Sequence, residues 1–335
     1  MTNVWGLGSG TVGRRFAGLA ATMIAALSAT PSHADEGGIS FWLPGLYGSF
    51  AAAPAVPGWS FATLYYHTSV SAGGDESFPR AGRVDLGLEG RGNIVAFGPT
   101  HTFAEPVWGG QLSLALLGVA GRNHASVDAT LTGPRGNTIS GSLSETQPGF
   151  GDLLPQATLK WNQGVNNYMT YLTGNVPIGA YDPARLANMG LGHGAVDWGA
   201  GYTYLNPATG REFSAVLGFT YNLENPDTNY QNGIDAHLDL GAAQFLNKQV
   251  YVGVVGYVFN QLTNDSGEGA TLGGFKSRVA GIGPQLGYNF SVSDKVDGFL
   301  NVKGYWEFAA KNRPEGWNVW VSLAFSPAAP KQSAD

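Results

Sequence analysis

Along most of the chain beyond residue 60, apolar and polar residues alternate one for one. In 234–240 every second residue is apolar and those between are charged or titratable, and 317–325 carries Trp, Val, Val, Leu and Phe at alternate positions. Side chains of a β-strand point alternately to its two faces, so this period of two predicts strands with one apolar face and one polar face. Helical spacing is hard to find in the same region, because Gly, Pro and β-branched residues recur throughout it.

Breaks at clusters of Gly, Pro, Asn and Asp divide the chain into candidate strands. Most of them are at least 10 residues long. Strands of globular sheets commonly have about 5–6 residues, whereas a tilted strand that crosses a membrane needs ~9–11. The 12 strands are predicted near 59–70, 91–103, 110–131, 152–162, 166–177, 194–206, 211–223, 232–244, 249–262, 275–290, 296–308 and 316–325.

The connections between these strands alternate in length. Long connections are predicted at 71–90 and 132–151, and short ones at 104–109 and 163–165. Outer-membrane barrels have tight periplasmic turns and longer outer loops, and every backbone group in hydrocarbon must be paired, so such a sheet has to close. The sequence therefore predicts an all-β fold, a transmembrane antiparallel β-barrel of about 12 strands in the outer membrane of a Gram-negative bacterium.

Aromatic residues fall near both ends of the predicted strands. Tyr251 and Phe299 lie near short turns, whereas Tyr66, Tyr257 and Trp306 lie nearer the long connections. Membrane barrels carry a belt of aromatic rings at each interface. We therefore expect these residues to belong to two such belts, although aromatic residues favour strands in general.

Composition narrows the class of protein. The 335 residues include 50 Gly and no Cys, only 13% are charged, and the net charge is −6. A chain with 43% hydrophobic residues is too apolar to be disordered. Without Cys there is no disulfide framework and no thiolate metal site, and the acidic balance argues against a nucleic-acid partner. No cofactor-binding motif is visible, so we expect no cofactor.

The first 34 residues have the three parts of a secretory signal peptide. Arg14 and Arg15 precede an apolar stretch over 16–29, and Ser32 and Ala34 form a small-x-small cleavage site. The apolar stretch is too short to span a bilayer as a helix. The chain is thus expected to comprise a signal peptide at 1–34, an N-terminal segment at 35–57, the barrel at 58–326 and a C-terminal tail at 327–335.

The segment 35–57 is too apolar for a solvated tail and too short for a domain of its own. Because exposed apolar stretches normally mark burial or binding, we expect a plug that folds into the barrel lumen. A short amphipathic element packed across the periplasmic rim is the alternative. The residues expected to form the plug are Phe41, Trp42, Leu46, Tyr47 and Phe50.

Alternation also predicts which side chains face the lumen. The inward positions combine small residues, a few charges and a few rings, which suits the passage of a modest apolar or aromatic solute. The alternative is that the charged residues are paired and only brace the wall. The residues expected along the solute path are Tyr171, Asp197, Asp235, His237, Asp239, Lys303, Tyr305 and Trp320.

Two constellations invite a chemical interpretation. Asp235, His237 and Asp239 share one face of a strand, but one strand supplies few ligands at poor angles, so a hydrogen-bonded wall is favoured over a metal site. His67 and Ser69 share a face without a recognisable third member for nucleophilic catalysis. We therefore expect neither a metal nor an enzyme.

Several stretches resemble a known family. They are Gly45-Leu46-Tyr47-Gly48-Ser49, Pro57-Gly58-Trp59, Gly151-Asp152-Leu153-Leu154-Pro155 and Gly174-Asn175-Val176-Pro177. These patterns are similar to outer-membrane proteins labelled as involved in the meta-pathway of phenol degradation. The resemblance implies a barrel that passes aromatic or other hydrophobic compounds, distantly like fatty-acid and toluene transporters. It implies no particular binding residues.

Together these observations favour passive uptake of small hydrophobic compounds through the barrel. The expected partners are outer-membrane lipid and lipopolysaccharide, the solute, and the barrel assembly machinery. Leu323-Ala324-Phe325 is similar to the C-terminal signal that this machinery reads, although Ser326–Asp335 follows it. The alternative function is a structural or adhesive barrel with a closed lumen, whose outer loops bind a surface partner.

Overall fold

The computed structural model describes residues 40–78, 82–132, 137–270 and 276–329. Within these ranges the regular elements are twelve β-strands, joined by turns and irregular loops. No helix in them is both long enough and apolar enough to cross a membrane. The predicted signal peptide, 1–34, and the last residues of the predicted tail, 330–335, lie outside the described residues.

The strands follow one another along the whole described chain. They are β1 (Gly58–Phe78), β2 (Gly82–Thr102), β3 (Gln111–Thr132), β4 (Thr138–Gln163), β5 (Asn166–Asn175), β6 (Ala195–Asn206), β7 (Arg211–Asn222), β8 (Asp235–Phe245), β9 (Val250–Gln261), β10 (Arg278–Ser293), β11 (Val296–Lys311) and β12 (Glu315–Pro327).

Each strand pairs antiparallel with its neighbours in the chain, and β1 pairs with β12 to close the sheet. The closing ladder extends from Phe61 opposite Phe325 to Ser71 opposite Glu315. Closure satisfies the backbone N–H and C=O groups over the paired height, so no strand edge is left in hydrocarbon. The predicted closed antiparallel barrel of twelve strands is therefore confirmed.

The outer face of the wall is apolar. Trp198, Leu217 and Trp306 are 46%, 47% and 64% exposed. Their neighbours Asp197 and Tyr305, which point the other way, are buried. An apolar band around a closed barrel faces lipid, and barrels of this kind are proteins of outer membranes. The fold and the apolar band thus place the protein in the outer membrane.

The predicted long connections at 71–90 and 132–151 are wrong. The described parts of these stretches belong to β1 to β4, which have 21, 21, 22 and 26 residues. Their Gly, Ser and Asp residues are typical of loops, yet polar and apolar positions still alternate. In the first stretch the end of β1 pairs with the start of β2, and in the second the start of β4 pairs with the end of β3. A hairpin partner can therefore hold as a strand a sequence that looks like a loop in isolation.

The aromatic belts are also wrong in part. Tyr66, Tyr251 and Tyr257 are buried and face the lumen rather than lipid. A Cβ atom at Gly281 or Gly287, on the strand beside β9, would overlap the ring of Tyr257 or Tyr251. The rings therefore lie flat over glycines of the neighbouring strand, which gives part of the high glycine content a structural role.

Candidate functional site: the barrel lumen

The lumen contains a buried acid–histidine pair. His237 Nε2 on β8 lies 2.9 Å from Asp197 Oδ2 on β6, and both side chains are almost fully buried. Thr220 Oγ1 on β7 donates to the same carboxylate oxygen at 2.5 Å. Period two in three adjacent strands brings these groups together on the inner wall.

The N-terminal segment, residues 40–57, contacts this pair from inside the barrel. The indole of Trp42 stacks on the His237 ring with 3.7 Å between centroids and 13° between planes. Tyr171 also stacks on Trp42, at 6.0 Å, and its hydroxyl lies 3.5 Å from His237 Nε2. Trp42 is only 2% exposed, so this contact removes a large ring from water.

Lys303 on β11 binds the backbone of the N-terminal segment. Its Nζ donates to the carbonyl oxygens of Gly45, Leu46 and Tyr47 at 2.7, 3.0 and 3.1 Å. Asp239 Oδ1 on β8 accepts from Gly45 N at 2.9 Å. One lysine thus satisfies three successive carbonyl groups, while a carboxylate on the wall binds the adjacent N–H.

Gly45 is required by its conformation and its surroundings. Its φ is +83°, and a Cβ atom there would lie 2.8 Å from Cε2 of Tyr305. The Tyr305 hydroxyl lies 3.4 Å from the Gly45 carbonyl oxygen. A side chain at this position would therefore be strained and would also meet the Tyr305 ring.

Further contacts follow the segment toward the periplasmic end. Phe50 N donates to Glu212 Oε1 at 2.8 Å, and Ala52 N donates to Thr203 Oγ1 at 3.0 Å. Lys160 Nζ donates to the Ala53 carbonyl oxygen at 2.9 Å. These contacts come from β7, β6 and β4, so the segment is bound to the wall around much of its circumference.

Tyr47 lies between the rings and the polar groups. Its ring is 5.5 Å from Trp42 and 5.4 Å from Tyr171, and its hydroxyl accepts from Gln156 Nε2 at 3.1 Å. Burial, together with the negative charge of Asp197, raises the pKa of the Tyr47 phenol above its ordinary value. The phenol is therefore neutral at physiological pH.

The aromatic lining continues outward from the segment. Trp320 and Tyr66 are buried against each other across the closing β1–β12 seam, 4.4 Å between ring centroids. Lys303 Nζ lies 5.5 Å from the Trp320 ring. The rings of Trp320 and Tyr66 belong to one apolar cluster that also includes Phe259 on β9 and Trp42.

A cavity of about 220 Å³ lies between the N-terminal segment and the wall. Leu46 and Ala51 of the segment border it, facing Ala62 and Leu64 on β1. Its remaining lining is Tyr47, Gly48, Ser49, Tyr251, Phe299, Asn301, Lys303, Ser322, Leu323 and Ala324. Small residues on the wall therefore leave space where the segment does not fill the barrel.

The outer side of the lumen is covered by the loop 176–194. Asp152 on β4 holds both ends of this loop, accepting from Gly179 N at 2.8 Å and from Leu191 N at 3.0 Å. Asn175 Nδ2 donates to the same carboxylate at 2.9 Å. The loop is thus bound to the inner wall rather than free above the barrel.

Comparison with known proteins identifies the family. Residues 73–323 match the family described as "Putative MetA-pathway of phenol degradation". The chain belongs to this family. No curated protein sequence matches it significantly.

Three solved structures are similar to this family member to different degrees. An outer-membrane channel from Pseudomonas putida F1 is 15% identical with a TM-score of 0.61, over 86% of this chain and 100% of that one. A FadL homologue from Pseudomonas aeruginosa is 8% identical with a TM-score of 0.40, over 80% and 90% of the two chains. The CymD monoaromatic hydrocarbon channel is 5% identical with a TM-score of 0.35, over 82% and 89%. The first likeness shows a shared fold.

The residues predicted for the solute path all lie on the inner wall of this family member. Asp197, His237, Asp239 and Lys303 are brought together around the N-terminal segment, and Asp235 receives a hydrogen bond from Asn222 Nδ2 at 3.0 Å. Tyr171, Tyr305 and Trp320 are also buried there. Their part in solute passage stays a prediction.

The residues predicted for the plug differ in their surroundings. Trp42 is buried and Leu46, Tyr47 and Phe50 pack against lumen residues, Phe50 with its ring 4.9 Å from that of Tyr251. Phe41 is half-buried. The part of the predicted plug before residue 40 lies outside the described residues.

Sequence reasoning missed several residues that hold the lumen contents. Asp152, Thr203 and Glu212 each accept backbone N–H groups of the loop or the segment. The alternation along their strands could have identified them, since each lies at a position whose side chain points into the lumen. His67, considered as a nucleophile, instead faces outward with Nδ1 2.9 Å from Asn93 Oδ1. Among the described residues no group of three His, Asp or Glu could hold a metal ion.

Proposed function

We propose that the protein is an outer-membrane channel through which small hydrophobic compounds, aromatic ones above all, pass inward without energy input. The observation that carries the proposal is the lumen lining. A channel for polar solutes has a polar, water-filled interior, whereas Trp42, Tyr66, Phe259 and Trp320 form one apolar cluster inside this barrel. Such a lining offers an apolar solute a route out of water.

The family and the fold support this proposal. The family description names phenol degradation, and the Pseudomonas putida F1 protein of the same fold is an outer-membrane channel. A pathway that consumes aromatic compounds inside the cell needs them to cross the polar lipopolysaccharide layer first. A channel with a ring-lined lumen would supply that step.

We further infer that residues 35–57 act as a plug. Hydrogen bonds and ring contacts hold the described part, 40–57, and Lys303, Asp239 and Trp42 supply the main ones. Contacts of this kind can break and re-form without unfolding the wall, since the strand ladders do not include the segment. A small displacement of the segment would then open the lumen, and the solute would be released down its gradient.

The cavity beside the segment supports passage of a single small ring. Its volume is about 220 Å³, and an engineered apolar cavity of ~150 Å³ is enough to bind benzene. Monoaromatic hydrocarbons therefore fit beside the segment before it moves fully aside.

The proposal can be tested by locking the segment to the wall. A Cβ atom at Gly48 would lie 3.5 Å from Cγ1 of Val255 on β9. A cysteine sulfur at 255 can occupy this γ position, so thiols at the two positions are near enough to form a disulfide. The chain has no other Cys, so Gly48→Cys with Val255→Cys creates a single reversible link. Uptake of labelled toluene should fall to the level of a deletion strain when the pair is oxidised and should recover on reduction.

The single variants Gly48→Cys and Val255→Cys, treated with the same oxidant, are the matched controls and should keep their uptake. Equal uptake by the oxidised and reduced double variant would contradict the plug. If deletion of the whole protein leaves toluene uptake unchanged, the channel proposal fails and a structural or adhesive barrel is favoured.

A further inference from the structure

The first four strands continue beyond the hydrocarbon layer. On β3 the outward residues Leu112, Leu114 and Leu116 are apolar, and the outward face becomes polar at Arg122. The stretch from Gln111 to Gly121 has the length that a tilted strand needs to cross a membrane, ~9–11 residues. The remainder of β3, up to Thr132, therefore projects above the lipid.

The projecting sheet, here named the apron, consists of Ser71–Phe78, Gly82–Arg91, Arg122–Thr132 and Thr138–Phe150. Its ladders pair within the apron, whereas β12 leaves β1 at Ser71 and β5 pairs with β4 only over Gln156–Gln163. The apron is thus a four-stranded sheet that stands on one side of the barrel mouth.

In the apron the apolar side chains lie on the opposite face of the sheet from those of the wall below it. Leu88, Val127 and Leu143 lie side by side in the ladders on one face, together with Leu86, Ala129, Leu131 and Ile139. The opposite face carries Glu89, Arg91, Ser126, Asp128, Thr130, Ser140, Ser142 and Ser144. Below the apron the wall is apolar outside and partly polar inside, so the two faces exchange character where the lipid ends.

Contacts lower on the apron show that the apolar face looks toward the lumen axis. Asn123 Nδ2 donates to the Asn188 carbonyl oxygen at 2.7 Å, and Glu145 Oε2 accepts from Leu186 N at 2.8 Å. Asn188 and Leu186 belong to the loop 176–194, which covers the lumen. Since Val127 and Leu143 lie two or four positions further along the same faces, they also look over the mouth.

The upper part of this face is open to solvent. Leu86 is 47% exposed, and Ile139 and Leu143 are both 62% exposed. An aliphatic patch of this kind normally marks a binding surface. Because it lies above the lipid and on the side away from it, lipid chains do not cover it.

We propose that this face of the apron captures small apolar solutes and delivers them to the mouth, an inference that rests on the channel function proposed above. The occupant is an uncharged hydrocarbon ring or short chain, because Leu86, Ile139 and Leu143 offer only aliphatic carbon, and Glu145, two positions from Leu143 on the same face of β4, is already bound by Leu186 and Arg185 of the loop 176–194. The same face of β2 continues downward to Ile94, which packs against the lumen cluster that contains Tyr66. Between Leu88 and Ile94 this face of β2 carries only Gly90 and Gly92, so a solute that follows β2 toward the lumen meets no charged side chain of that strand.

The inference predicts an effect on capture and not on the maximal rate. Leu143→Cys and Ser142→Cys place a thiol on adjacent residues but on opposite faces of β4, in a chain without other Cys. Cells are then treated with the anionic thiol reagent methanethiosulfonate ethylsulfonate. Modified Leu143→Cys should need a roughly fivefold higher toluene concentration for half-maximal uptake, because a sulfonate in the patch disfavours apolar binding, with the maximal rate unchanged.

Modified Ser142→Cys should behave like the wild type, and so should Leu143→Cys treated with a neutral methyl reagent. Identical half-saturating concentrations for the two sulfonate-modified variants would overturn the inference while leaving the channel function standing. Failure of the reagent to reach Cys at 143 in intact cells would also overturn it, since a second copy or another molecule would then cover the face.

A second measurement does not depend on transport. Photolysis of an aryl diazirine should label the peptides that contain Leu86 and Leu143, and excess toluene should suppress this labelling. Labelling that toluene does not reduce would overturn the capture site. Absence of toluene uptake in wild-type cells would instead refute only the channel function.

Discussion

At the scale of single residues, Lys303 is the main cation that the wall directs at the N-terminal segment. It binds three carbonyl groups and faces Asp239 across the segment. Hydrogen bonds to a charged group contribute about 1.5–3 kcal/mol each, and about 1.4 kcal/mol corresponds to a tenfold population change. Lys303→Met keeps the length of the side chain but should make channel openings in planar bilayers at least about tenfold more frequent.

Lys295→Met is the matched control for this experiment. Lys295 is exposed in the turn between β10 and β11, so its loss should leave the openings as rare as in the wild type. An unchanged conductance record for Lys303→Met would show that the segment is held by its other contacts.

Gly45→Ala separates backbone strain from steric overlap. Gly45 and Gly109 both have positive φ, +83° and +74°, but a Cβ atom would meet Tyr305 at position 45 and nothing within 4 Å at position 109. Each alanine costs ~1–2 kcal/mol of backbone strain, whereas only the first displaces the segment. Gly45→Ala should raise single-channel conductance or opening frequency, and Gly109→Ala should change neither.

Local pattern was enough to find which residues face the lumen, but not which of them meet. The alternation along each strand is enough to predict that the side chains of Asp197, His237 and Lys303 point inward. The stack of Trp42 on His237 joins residues almost two hundred positions apart and depends on the register of the strands between them. The relative height of two distant strands depends on the register of every strand pair between them, and no local sequence pattern encodes all of these registers.

At the scale of elements, the loop 176–194 depends on one carboxylate. Asp152 accepts from Gly179 N and Leu191 N, and removal of these bonds leaves two partly buried donors without their partner. Asp152→Ala should therefore loosen the loop and accelerate tryptic cleavage after Arg185 in outer membranes by roughly tenfold. The rate constant of cleavage, followed by gel electrophoresis, measures this effect.

Asp227→Ala tests whether the effect is specific. Asp227 is exposed in the neighbouring loop 223–234, so its replacement should leave the cleavage at Arg185 as slow as before. If Asp152→Ala resists trypsin equally well, the loop is held by its apolar contacts instead.

Element number was predicted more reliably than element length. Twelve strands were expected and the described part of the chain contains twelve, because each strand that crosses the membrane has an outward apolar face that marks it. The apron lies above the lipid, where Ser140, Ser142 and Ser144 need no apolar face outward. The alternation continues there with its apolar face toward the lumen, but the many Gly, Ser and Asp residues make the stretch resemble a loop until its hairpin partner is considered.

At the scale of the whole molecule, the barrel should fold without its N-terminal segment. Among the described residues every strand ladder joins two of the twelve strands, and β1 closes on β12 without help from 40–57. A variant that lacks these residues should still migrate faster in detergent gels before heating than after it. The same variant should conduct ions continuously, since Lys303 and Asp239 would face water.

A protein whose gel mobility no longer depends on heating would show that the segment is part of the folding core. The wild type, which carries the same wall and the segment, supplies the reference mobility and the reference conductance.

The tyrosine rings that lie flat over glycines set the clearance of the bore. Tyr171 crosses Gly199 and reaches Gly218, where a Cβ atom would overlap the Tyr171 hydroxyl. A methyl group at Gly218 would tilt the ring away from the wall, toward the axis and Trp42. The glycines of the wall therefore determine the lumen diameter that is available to a solute. Substitutions intended to narrow or widen the lumen should begin at these positions.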